Sequence, residues 1–193
     1  MIPITYNAAD ATFLRGYAKY ETDSNKLSVS VPGTWNAFTA YIVFSVTPLA
    51  PSMNHWLLHT PLVASNFGNT NKVRNGRNAF YDLTIPNTGA HIIKIAKVLN
   101  GNLYGRIDEL AGLNCAAAVA STSTMTIQLG LTSGYDTTSG TIKIAEVIFF
   151  KDASFVDGDA NDVQALQYLR WYHFGDLPLP LMFNAGGPWL DNV

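Results

Sequence analysis

Apolar and polar residues alternate with a period of two over most of this chain. β-Branched and aromatic residues fill the apolar positions, which predicts strands rather than helices. Leu27 to Val31 alternates and meets Pro32-Gly33. Phe38 to Thr47 is almost wholly apolar, as a central strand buried on both faces would be, and Pro48 and Pro51 end it. Asn54 to Thr60 is a further strand candidate, followed by loop chemistry at Asn66-Phe67-Gly68-Asn69-Thr70-Asn71. Ala79 to Ile85 alternates up to Pro86-Asn87-Thr88-Gly89, and Asn75-Gly76 before it reads as a hairpin turn. His91 to Leu99 follows. Asn100-Gly101 is the strongest hairpin signal, with Leu103 to Ile107 as its return strand and Asp108-Glu109 opening the next turn. Thr124 to Leu129 and Thr141 to Phe150 close the set.

One segment changes period. Val163, Leu166, Leu169 and either Arg170 or His173 fall three to four apart, predicting a single amphipathic helix. Asp159 or Asn161 can cap its start, and Gly175 stops it. Many short strands with one helix predict an all-β, two-sheet antiparallel sandwich. Three segments result. Residues 1–25 form an N-terminal arm or edge strand, residues 26–175 the sandwich domain, and residues 176–193 an extended, proline-rich C-terminal tail.

Composition narrows the function. The chain has 193 residues, 48% hydrophobic but only 13% charged. An average domain carries about 25% charged residues, so part of this surface is expected to be covered by neighbours or by the chain itself. The net charge of −2 supplies no basic stripe for nucleic acid; Lys72, Arg74 and Arg77 form the only local basic cluster. Cys115, the single cysteine, sits in an alanine-rich stretch and reads as a small buried hydrophobe. No run approaches the ~20 apolar residues of a membrane helix. The N-terminal residues lack a signal-peptide pattern. The expectation is a protein made in the cytoplasm and either kept there or carried out as part of a particle such as a virion, without nucleic-acid or membrane partners.

Three pieces of the sequence resemble laminin-G-like, concanavalin-A-like jelly-roll domains. They are Phe38 to Phe44, then His91 to Ile95 running through Asn100-Gly101 to Tyr104 and Asp108, and Ile144-Ala145-Glu146-Val147-Ile148 with the helix after it. The return strand departs from the family pattern where Glu109 replaces a glycine. The resemblance implies a jelly-roll sandwich. By analogy with single-domain modules of this kind in bacteriophage virions, it implies a structural or adhesion role.

The candidate chemistry is sparse. Jelly-roll glycoside hydrolases need two carboxylates facing one sugar. Glu21, Glu109 and Glu146 are the only glutamates, and none has an acidic partner at i+2 or i+4 on a credible strand. His55 and His59 would lie ~13 Å apart on an extended strand, too far for one zinc ion. Related domains hold Ca²⁺ with loop oxygens. Asp136 and the cluster Asp157, Asp159 and Asp162 offer such ligands, although a helix cap explains the cluster without metal. No other cofactor is indicated.

Two binding surfaces compete. Pro178, Pro180, Met182, Phe183 and Trp189 make the tail an apolar docking arm for other virion proteins or for a second copy of the chain. Trp56, Tyr81, Tyr135 and Asn69 head a possible stacking platform for glycans, with Trp35, Tyr104, Trp171, Asn66 and Asn71 as further members. The expected function is a non-enzymatic capsid-decoration or tail component. A carbohydrate-binding module is the alternative, and a jelly-roll glycosidase is a weaker one.

Overall fold

A computed structural model describes residues 12–14, 17–20, 27–52, 56–67, 71–99, 101–117, 120–129 and 139–174. The strands are β1 (Thr12–Leu14), β2 (Tyr17–Tyr20), β3 (Leu27–Trp35), β4 (Phe38–Ser52), β5 (Trp56–His59), β6 (Ala64–Phe67), β7 (Lys72–Gly76), β8 (Phe80–Thr84), β9 (His91–Lys97), β10 (Leu103–Ile107), β11 (Leu113–Cys115), β12 (Thr122–Leu129) and β13 (Ser139–Lys151). One helix, α1 (Ala160–Phe174), follows. A seven-stranded sheet has the order β1-β2-β13-β4-β9-β10-β11, and a six-stranded sheet the order β3-β12-β5-β6-β7-β8. All the pairings are antiparallel. The fold is the β-sandwich that the period-two pattern predicts.

The two sheets enclose one core. Phe38, Ile42, Phe44, Ile93, Ile95 and Phe149 come from the larger sheet. Leu57, Leu58, Phe67, Val73, Leu83, Met125 and Ile127 come from the smaller. Phe44 and Phe67 meet across the interior with ring centroids 5.9 Å apart. Such a core, at about 25 cal/mol per Å² of apolar surface, is the main term holding the sheets together.

Several boundaries differ from the sequence reading, each for a physical reason. Proline does not end β3, because β3 is an edge strand and the missing N–H of Pro32 costs no ladder bond there. β4 likewise runs past Pro48; β9 pairs only with Phe38 to Phe44, so one side of the later residues lies outside that ladder. The stretch read as loop from Asn66 contains the end of a strand, β6, whose four residues are too few for alternation to register. The hairpin at Asn75-Gly76 forms with Gly76 inside the ladder, opposite Phe80 at φ +132°, and residues 77–79 make the turn. β11 is additional; β1 and β2 fall in the segment expected to be an arm or edge strand, β1 at the edge of its sheet and β2 between β1 and β13.

α1 begins where the acidic cap was expected. The Asp159 carboxylate accepts from the amide of Asp162 at 2.8 Å and from that of Val156 at 3.0 Å. The Asp162 carboxylate in turn accepts from the amide of Gly158 at 3.0 Å. The arrangement satisfies the Asp162 amide, which the first helical turn leaves free, and ties the preceding loop to the helix start. The buried face of the helix is Asp162, Ala165, Leu166 and Leu169, whereas Val163, expected on the apolar face, is exposed.

Candidate binding face on the six-stranded sheet

The outer face of the six-stranded sheet is built by alternation. Val73 on β7 and Leu83 on β8 point inward, so Lys72, Arg74, Asp82 and Thr84 point outward. On β12 the inward residues are Met125, Ile127 and Leu129, which leaves Thr126 and Gln128 outside. β5 breaks the rule. Its register against β6 shifts between Trp56 and Leu58, so Leu57 and Leu58 are both buried. Trp56 and His59 flank them and are both partly exposed. A bulge of this kind re-aims a side chain without ending the strand.

Register then sets a row across four strands. Trp56 pairs with Asn66, Asn66 with Arg74, and Arg74 with Asp82. At the usual inter-strand spacing the row is about 14 Å long. Within it the Trp56 and His59 rings meet edge-on at 4.8 Å. Arg74 forks onto Asp82, with Nε to Oδ1 at 2.9 Å and Nη2 to Oδ2 at 3.2 Å. The same guanidinium lies 4.1 Å from the centroid of the Phe80 ring, half of whose surface faces solvent. The pairing holds the Asp82 carboxyl below its ordinary pKa and raises that of Arg74.

A second set of polar groups lies beside this row. His59 Nδ1 is 3.1 Å from Gln128 Oε1, and Arg77 Nη2 is 3.4 Å from His59 Nε2. A guanidinium can only donate, so Nε2 accepts and Nδ1 carries the proton that it donates to Gln128. His59 is therefore neutral. Burial lowers its pKa most; the Arg77 charge lowers it further, against the opposing Gln128 hydrogen bond. Arg77 Nη2 is fixed at its other side by the Thr60 carbonyl at 2.5 Å.

Of the sequence-predicted glycan residues, the structure brings Trp56 and Asn66 together on this face. It places Tyr81 elsewhere. Tyr81 is 6% exposed and belongs to the core, because alternation along β8 turns Phe80, not Tyr81, outward. Trp35 is fully buried. Tyr104 stands on β10 of the other sheet, and Trp171 on α1. Asn71 fastens the end of β8, exchanging hydrogen bonds with Ile85. Tyr135 and Asn69 lie outside the described residues, as do Asp136, His55, Glu21 and the docking residues Pro178, Pro180, Met182, Phe183 and Trp189. Of the calcium candidates, Asp159 and Asp162 hold the start of α1, and Asp157 is exposed just before it. Among the described residues no three His, Cys, Asp or Glu side chains gather as a metal site. Sequence reasoning misses Phe80 and Gln128, and considers His59 only as a metal ligand and Arg74 only as part of a basic cluster. Their signal was the period-two phase on β7, β8 and β12, which puts all but His59 on one face.

A separate concavity of about 180 Å³ lies at the sandwich edge between β8 and the β10–β11 turn. It is lined by Asp82, Leu83, Thr84, Ile107, Leu110, Ala111 and Leu113. That lining is mainly aliphatic and offers few groups to polar ligands.

No protein-family model matches the chain, and no curated protein matches it in sequence. Solved structures do share its fold. The binding domain of botulinum neurotoxin serotype D is 11% identical with a TM-score of 0.54, over 80% of this chain and 43% of that one. Botulinum neurotoxin type C, whose penetration of cells depends upon interaction with two ganglioside molecules, is 9% identical with a TM-score of 0.56, over 86% and 44%. The binding domain of serotype D/C is 12% identical with a TM-score of 0.57, over 82% and 46%. The chain thus spans less than half the length of these structures. At such identities the likeness shows a common β-sandwich.

Proposed function

We propose that this chain is a non-catalytic recognition module that binds carbohydrate on the outer face of its six-stranded sheet. The observation that carries the proposal is the Trp56–Asn66–Arg74–Asp82 row with the His59 and Phe80 rings beside it. Sugar rings present apolar C–H faces and hydroxyl edges. Aromatic surface suits the first, and amide, carboxylate and guanidinium groups suit the second. Here both kinds stand on a rigid sheet, prepaired with each other, so little side-chain freedom is lost on binding. The fold shared with a neurotoxin binding domain, and with a neurotoxin whose penetration of cells depends on gangliosides, supports the same reading.

A glycan array probed with the purified chain tests it. Retention of one glycan class by the native chain and its loss in Trp56→Ala is the expected result. Binding that survives Trp56→Ala, or no retention at all, overturns the reading.

The second reading is assembly into a virion as a decoration or tail component, through residues 176–193. It rests on the low charge content and on the apolar tail with Phe183 and Trp189. It predicts an oligomer by light scattering that is lost when residues 176–193 are removed. The two readings are compatible, since a virion-borne module could hold to the particle by its tail and to a host glycan by its sheet.

A further inference from the structure

The charge balance of the binding face is uneven. It carries three permanent cations, Lys72, Arg74 and Arg77, in a chain whose net charge is −2. Among the described residues Asp82 is the carboxylate on this face, and Arg74 takes both of its oxygens. Among the described residues Arg77 has no carboxylate partner. Its recorded hydrogen bonds are to the Thr60 carbonyl and to His59 Nε2, both neutral acceptors and both made through Nη2. Nε and Nη1 are left to face solvent on an exposed residue. The guanidinium is held in place at one corner while its remaining donors stay open, and its holder, His59, is in edge contact with the Trp56 ring.

We infer that Arg77 is the anchor for an anionic substituent of the bound saccharide, a carboxylate or a sulfate, with the sugar ring against Trp56. The inference rests on the carbohydrate reading above and adds the ligand class to it. The Nε–H and Nη1–H groups can each donate to a carboxylate or sulfate oxygen, and charge-assisted hydrogen bonds of this kind are about twice as strong as neutral ones. Arg74 cannot serve the same purpose without giving up Asp82. Lys72 opens β7 and Arg77 lies in the turn after it, so the length of β7 from Lys72 to Gly76, about 13 Å, stands between them, too far to share one anion.

The test compares matched glycans. Uronate oligosaccharides are set against their methyl esters, sialylated glycans against the desialylated forms, and sulfated against unsulfated ones. Each is titrated into the native chain, Arg77→Gln, Lys72→Gln and Trp56→Ala, with the melting temperature of every variant measured to confirm folding. The expected result is that at least one anionic form binds about tenfold or more tighter than its neutral partner. Arg77→Gln removes that advantage, while Lys72→Gln keeps it. The arm that shows it separates carboxylate from sulfate. Equal binding of charged and neutral forms, lost in Trp56→Ala and indifferent to Arg77→Gln, overturns the Arg77 anchor and leaves the carbohydrate reading standing. An anionic preference that survives Arg77→Gln overturns the anchor as well. Absence of binding to every glycan overturns both.

Discussion

Trp56 and His59 are three residues apart on β5, yet their side chains share one face of the sheet and meet edge-on at 4.8 Å. A regular strand would have put them on opposite faces. The register shift between Trp56 and Leu58 makes the difference, sending both intervening leucines into the core. Two aromatic rings thereby face solvent at one point, with Asn66 and Gln128 as lateral neighbours.

This geometry separates binding from stability. Trp56 is only partly buried, so Trp56→Ala is expected to lower stability by about 1 kcal/mol. Leu57→Ala or Leu58→Ala, at fully buried positions, should each cost about 2–5 kcal/mol. Urea denaturation of the three variants checks the ranking. A Trp56→Ala loss as large as those of the leucines would mean that Trp56 is a core residue rather than a platform.

His91 and His59 should give opposite pH dependences. His91 Nδ1 is 2.6 Å from Asp108 Oδ2 and Nε2 is 2.9 Å from the Asn87 carbonyl, so both ring nitrogens face acceptors and the imidazolium satisfies both. The Asp108 hydrogen bond raises its pKa above 6.5, against the opposing effect of burial. The folded state thus binds this proton more tightly than the unfolded chain. Its contribution is complete below pH 6.5 and is lost as pH rises through the raised value. His59 is lowered from 6.5, so its contribution is complete above that pH and is lost as pH falls through the lowered value. Denaturation across this range should show His91→Gln costing most at acid pH and His59→Gln costing most at alkaline pH. Costs that do not change with pH would contradict both assignments.

Asp108 has φ +48° and its second oxygen accepts from the Ile92 amide at 2.9 Å. Asparagine tolerates the same backbone and keeps that acceptor. Asp108→Asn therefore isolates the charge, with an expected cost of about 1–2 kcal/mol at acid pH. It should also abolish the His91 pH dependence. A pH profile like that of the native chain would contradict the pairing.

Gly105 is fixed by close approach rather than by its backbone angle. A Cβ there would overlap the Tyr81 hydroxyl and come within 3.0 Å of the Lys94 carbonyl. Gly105→Ala should cost about 1–3 kcal/mol. The Tyr81 hydroxyl is buried without a hydrogen-bond partner among the described residues, so Tyr81→Phe alone should be near neutral. The double variant should recover part of the Gly105→Ala loss in a double-mutant cycle. Additive costs would show that the clash lies with the backbone alone.

The cap of α1 and a calcium site make different predictions for Asp159→Ala. Loss of a cap costs about 1 kcal/mol and is the same with calcium or with chelator. Thermal unfolding followed by the helical circular-dichroism signal decides between them. A native melting temperature that rises with calcium, with the Asp159→Ala loss confined to calcium, would establish the metal.

Much of the fold was legible because alternation is long on the strands that matter. Leu103–Ile107 was read with its observed bounds, and Phe38, His91 and Asn100-Gly101 marked the central strands and their hairpin. What was not legible depended on pairing partners. Pro32 is harmless only because β3 is an edge, and β6 and β11 are too short to show a period. β9 buries all seven of its residues, including Lys94 and Lys97. Lys97 is held by the Asn36 carbonyl at 2.7 Å, a contact sixty-one positions away along the chain. The binding face was half visible. The sequence points to Trp56, but it points to Tyr81 and not to Phe80, and it offers His59 only as a metal ligand. The phase of β8 and the bulge in β5 decide these points, and neither can be read without knowing which side faces the core.

The most direct test of the account is a two-dimensional amide and side-chain NMR titration of the native chain with the best array glycan. The account predicts shifts confined to the outer face of the six-stranded sheet: the Trp56 indole N–H, the Asn66 and Gln128 amides, and the Arg74 and Arg77 guanidinium signals. Shifts at the β8–β11 edge groove, at α1 or in residues 176–193, with the Trp56 indole unmoved, would contradict it.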